Sequence, residues 1–121
     1  MTTHTPTLTH QPTNPGPVEP AGALANLAAG LAAHIDPLFP RQEAPIRQVL
    51  ALAEEAGEFV GAYRRWAGMA RRTGPWSDVT AELADVVITA YLTAHVLGID
   101  LDTACQHKAH VIHTRGWKDP R

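Results

Sequence analysis

Between Pro45 and Arg72 the apolar residues Val49, Leu52, Ala56, Phe59, Tyr63 and Trp66 recur at steps of three and four. That spacing lines them along one side of an α-helix and fits no strand, in which side chains alternate at every second residue. It predicts a helix across the segment with this side buried. Upstream, Ala21 to Leu38 is rich in Ala and Leu and has no β-branched run, which favours a first helix stopped by Pro40. Downstream, "RRTGPWSD" offers a Gly74-Pro75 turn with Ser77 and Asp78 as candidate N-caps of a third helix that runs to Gly98. From Val86 to Leu97 that helix carries no Asp, Glu, Lys or Arg, so it belongs in the middle of a bundle or in a subunit interface. It reads as too short, and too interrupted by Thr, Tyr and His, for a membrane span of about 20 mainly apolar residues. Asp100 is placed to cap a fourth helix that ends near Gly116. No strand pattern and no fixed-period repeat is present, and the expected fold is an all-α four-helix bundle completed by oligomerisation.

The chain of 121 residues is 45% hydrophobic, enough for one modest core. Ten Lys and Arg against 12 Asp and Glu leave a net charge of -2, so no bulk attraction to nucleic acid or anionic lipid is expected. Cys105 is the single cysteine, which excludes an intrachain disulfide and suits a reducing compartment; it is expected as small core filler. Residues 1–20 contain five Pro and six Thr with almost no aliphatic side chains, so a disordered tail is expected before a helical domain at 21–118. The tail has neither the basic start nor the apolar run of a secretory signal, and a cytoplasmic protein is expected.

Within the second helix, "LAEEAGEF" carries Glu54, Glu55 and Glu58 on adjacent turns, in a quadrant that borders the apolar side. An ExxE on an acidic helix is as a rule a solvated face. Here "ELADVV" adds Glu82 and Asp85 one turn apart, at the start of a helix expected to be buried. Capping explains Asp78 and Glu82, but Asp85 is about two turns in, beyond the reach of the helix dipole. Two antiparallel helices joined by a short turn would bring the two acidic pairs together. Four converging carboxylates repel unless a cation neutralises them, and an all-oxygen set selects a hard ion, Mg²⁺ before Mn²⁺.

On the fourth helix Leu101, Ala104, Cys105, Val111 and Ile112 define an apolar face with Lys108 and Arg115 at its centre. Inward-pointing cations suit phosphate oxygens, although long stems can also snorkel past a core or pair with carboxylates. His107, His110 and His113 form a solvent-facing stripe without a third zinc ligand nearby, and His95 reads as a hydrogen-bonded core or interface residue. Arg64, Arg65, Arg71 and Arg72 compensate the dipole at the end of helix two. Trp66 and Trp117 could stack a base, although Trp66 also continues the apolar side. A di-iron carboxylate bundle is disfavoured, since neither Glu58 nor Glu82 has a His three residues later.

The series "EEAGEF", then "ELADV" with 23 residues between Glu58 and Glu82, then "GIDL", then Lys108 through "TRGW", resembles the MazG-like all-α nucleoside triphosphate pyrophosphohydrolases over about residues 42–118. The combination is more specific than any of its pieces. The resemblance implies hydrolysis of the α–β phosphoanhydride of a nucleotide with Mg²⁺, in a homodimer or homotetramer. It implies Glu55, Glu58, Glu82 and Asp85 as metal ligands and Glu54 as the group that orients or deprotonates water. Lys108 and Arg115 match its basic positions and, with Trp66, would bind the nucleotide. Many relatives carry Asn where this chain has Ile112, which leaves base and sugar choice open. Phosphoribosyl-ATP pyrophosphohydrolases use related chemistry, and a non-catalytic nucleotide-binding or helical interaction module is the alternative.

Overall fold

The computed structural model describes residues 22–116; the Pro/Thr-rich tail and Trp117 lie outside the described residues. Helix α1 spans Ala23–Ile35, α2 Ala44–Trp66, α3 Trp76–Leu97 and α4 Leu101–Arg115, with single 3-10 turns at Asp36–Leu38 and Arg41–Glu43. No strand is present among the described residues. The fold is all-α with four helices.

Helix α2 ends at Trp66, earlier than the expected Arg72. Gly68, at φ +74°, turns the chain so that Met69 N donates to Arg64 O at 2.8 Å, a left-handed stop that satisfies the last carbonyls. Arg71 and Arg72 therefore lie in the following loop. Helix α3 closes the same way at Gly98, φ 69°, with Ile99 N donating to Ala94 O at 2.8 Å. Ser77 and Asp78 fall inside its first turn instead of capping it; Pro75 holds the extended N-cap position, with no side-chain cap. Asp100 does cap α4, accepting from Thr103 N at 3.1 Å and from Thr103 Oγ1 at 2.8 Å. Those bonds hold its carboxyl below the usual range.

Helix α3 packs against both α1 and α2, the central place its apolar run predicts. At 22 residues it is, by length and composition alone, long and apolar enough to cross a membrane, contrary to the shorter span read from the sequence. Ala28 and Ala32 are buried against Leu92, with Ile35, Ile88 and Tyr91 around them, so small residues let α1 lie close to α3. An apolar groove of about 540 Å³ lies between the three helices, lined by Leu24, Leu27, Phe59, Tyr63, Trp76 and Leu83 among others.

The side of α2 that meets α3 overlaps only part of the side its apolar spacing marks. Gln48 and Ala62 are buried there with Leu52, Glu55 and Phe59 half-buried, whereas Val49, Ala56, Tyr63 and Trp66 are exposed. A polar contact crosses this seam at Thr93, whose Oγ1 donates to Thr89 O of its own helix at 2.8 Å and lies 3.2 Å from Gln48 O on α2. Cys105, expected in the core, is exposed. The cause is the loose attachment of α4, in which Leu101, Val111 and Ile112 are only half-buried. Its main tie is at the first turn, where Tyr91 donates its hydroxyl to Asp102. That bond, with burial second, raises the Tyr91 hydroxyl pKa above its ordinary value.

Candidate metal centre

The antiparallel register that joins Thr93 to Gln48 at one end of the seam and sets Trp66 edge-to-face against Trp76 at the other carries the acidic pairs to a common level. Glu55 from α2 and Glu82 and Asp85 from α3 each offer an oxygen, and these oxygens lie within 4.8 Å of one another. Glu55 and Glu82 are half-buried and Asp85 is exposed at the rim. Glu58 is exposed and lies outside that group, but its charge reaches both Glu55 and Glu82. Residues three apart project from neighbouring turns, so Glu82 and Asp85 reach one point from a single helix and meet Glu55 from the other.

Partial burial pushes the Glu55 carboxyl up, and the charges of Glu58, Asp85 and then Glu82 push it further. Glu82 is raised for the same reasons, burial first and then Glu58 and Asp85, with Arg65 opposing. Oε2 of Glu55 and Oε2 of Glu82 are buried without a hydrogen-bond donor. Two orphaned carboxylate oxygens facing further negative charge are costly, and a hard cation would satisfy both at once. The donor set therefore fits a divalent ion held by oxygen.

The remaining expected site residues are placed differently. Glu54 is exposed, one residue before Glu55, and lies outside the 4.8 Å group. Trp66 belongs to an aromatic cluster at the α2–α3 turn, 5.9 Å from Tyr63 and 4.7 Å from Trp76 between ring centroids. Lys108 and Arg115, expected to point inward, are exposed on α4, where no residue is fully buried. His107, His110 and His113 are exposed beside them, and His95 is half-buried on α3.

Two arginines on α2 acquire roles that spacing alone did not assign. Arg65 is half-buried and its charge reaches Glu82. Arg47 sits 4.4 Å over the Phe39 ring, with Nε and Nη2 buried and without acceptors. Both share the stripe of Glu58: seven residues separate Arg65 from Glu58 and eleven separate Arg47, close to two and three whole turns. That periodicity was the available signal for cations flanking the acids.

Fold and site together define the class as an all-α protein with a carboxylate cluster set between two antiparallel helices. Comparison with protein-family models, curated proteins and solved structures gives no match to the chain.

Proposed function

We propose that the protein is a Mg²⁺-dependent nucleoside triphosphate pyrophosphohydrolase of the MazG-like type, cleaving a (deoxy)nucleoside triphosphate to the monophosphate and pyrophosphate. The observation that carries this reading is the meeting of Glu55, Glu82 and Asp85 with two buried oxygens lacking donors. An isolated acidic surface would leave such oxygens to water. Glu55, Glu58, Glu82 and Asp85 would hold the ion, and Mn²⁺ suits the same oxygens. When bound, the ion supplies charge neutralisation and polarises phosphate and water oxygens.

The chain's own residues divide the other tasks. Glu54, solvent-facing beside the cluster, takes a proton from the attacking water. The water oxygen adds to the α-phosphorus, the bond to the bridging oxygen breaks, and pyrophosphate leaves with the negative charge. Lys108 and Arg115 meet phosphate oxygens, and Trp66 offers a face to the base. A homodimer or homotetramer, in the cytoplasm, would provide the enclosure that a single chain lacks; no large side chain among the described residues is fully buried.

The test is pyrophosphate and phosphate release from a panel of ribo- and deoxyribonucleoside triphosphates with Mg²⁺ and with Mn²⁺, beside Glu58→Gln and Asp85→Asn. Pyrophosphate from wild type, lost in both variants, is expected. Folded protein that binds nucleotide without turnover refutes the enzyme and leaves the nucleotide-binding module.

A further inference from the structure

Helix α2 has two opposite sides. One meets α3 through Gln48, Ala62 and the half-buried Glu55. On the other, Ile46, Val49, Leu50, Ala53, Gly57 and Val60 are all exposed, the first, third and last of them by 57%, 62% and 54%. These residues recur at steps of three and four, so they form a continuous apolar stripe about 21 Å long. Single exposed apolar side chains are ordinary on a protein surface, but a contiguous band marks an interaction surface.

The stripe is graded in size along its length. Ile46, Val49 and Leu50 lie towards its start, Ala53 at its middle, Ala56 and Gly57 just beyond, and Val60 at its end. An antiparallel copy of the same helix, crossing at Ala53, sets Val49 and Leu50 of each chain against Gly57 and Ala56 of the other, and Ile46 against Val60. Large side chains then meet small ones, as close packing requires. The same operation brings Glu43, exposed just before α2, beside Arg64, exposed near its end. A parallel pair would oppose Leu50 to Leu50 and Gly57 to Gly57, with bulk at one end and a gap further on, and would set Arg64 against Arg64. Gly57 fits this picture independently. A Cβ at that position would meet nothing within 4 Å in its own chain, so intrachain packing gives no reason for a helix-weakening residue in mid-helix. Close approach by a second backbone does.

We propose that this face of α2 is a two-fold self-association surface, on which α2 of a second copy packs antiparallel about Ala53. Such an interface is isologous, each residue meeting its counterpart set by the same rotation. It rests on the self-association proposed above and not on the carboxylate chemistry.

The experiment uses the full chain with Cys105→Ser, which removes its one thiol. Ile46→Cys and Val60→Cys variants, prepared separately and then mixed, are expected to cross-link to each other through a short bis-maleimide, and neither is expected to cross-link to itself. Ala53→Cys is expected to cross-link to itself. Efficient self-linkage of Ile46→Cys would mean a parallel pair and overturn the proposal. In sedimentation, Leu50→Glu is expected to weaken association at least about 100-fold with helicity retained, while Leu27→Glu, in the groove of α1, leaves it unchanged. Oligomers dispersed by Leu27→Glu but not by Leu50→Glu overturn this face and leave self-association standing. A chain monomeric at every concentration overturns both.

Discussion

Neutralising Glu55 should raise the stability of the metal-free protein while removing much of what Mg²⁺ adds. Glu55 and Asp85 bring like charges within 4.8 Å. Asp85 is exposed and Glu55 only half-buried, so the dielectric of water is the appropriate limit, at which one such pair repels by about 0.9 kcal/mol. Glu55→Gln keeps the shape and removes that repulsion. For a domain of this size the gain corresponds to a rise in melting temperature of about 4–7 °C, less at high salt. Mg²⁺ at about a hundred times its dissociation constant should stabilise wild type by about 2.7 kcal/mol, the larger effect of the two. Differential scanning fluorimetry in EDTA and across a Mg²⁺ titration, at low ionic strength, reads both. The expected pattern is a crossing: the variant melts above wild type in EDTA and below it in saturating Mg²⁺. A variant that melts lower in EDTA, or shows the full wild-type response to Mg²⁺, would refute the account of the cluster as mutually repelling ligands.

Because Glu55 and Glu82 have folded-state pKa values raised above the ordinary carboxylate range, the folded state binds protons more readily than the unfolded one. Their contribution therefore grows more favourable as pH falls from neutral through the raised values, and chemical denaturation in EDTA should show it, with Mg²⁺ flattening the profile. Thr93→Val removes a buried hydroxyl bonded to Thr89 O and Gln48 O, while each carbonyl keeps its helical N–H. Urea denaturation should report a loss of about 1 kcal/mol, and an unchanged midpoint would count against that bond as a register pin. Lys108→Ala and Arg115→Ala, both at exposed positions, should leave circular dichroism and melting unchanged yet raise KM for nucleotide. Unchanged kinetics in both would remove α4 from the proposed phosphate contacts. Glu54→Gln should lower kcat with the Mg²⁺ melting response intact, since it lies outside the carboxylate group; a lost response would make it a ligand instead.

The number of helices and the meeting of Glu55 with Glu82 and Asp85 were legible in the sequence because their causes are local. A period of three to four residues marks a helix, Asp100 bonds its own third neighbour, and residues three apart share a face wherever the helix lies. The left-handed stop at Gly68 was equally local, but it was missed in favour of continued helix to Arg72. Tertiary structure decided which side of each helix is covered. On α2 the stripe of Gln48, Glu55 and Ala62 lies beside that of Val49, Ala56 and Tyr63, and periodicity does not tell which of the two a neighbouring helix covers. Packing against α3 covers Gln48 and Ala62 fully and Leu52 and Phe59 in part, and leaves Val49 and Ala56 exposed. The same dependence on neighbours placed Arg65 near Glu82 and left Lys108 and Arg115 in solvent, since a side chain's surroundings follow from what its helix packs against.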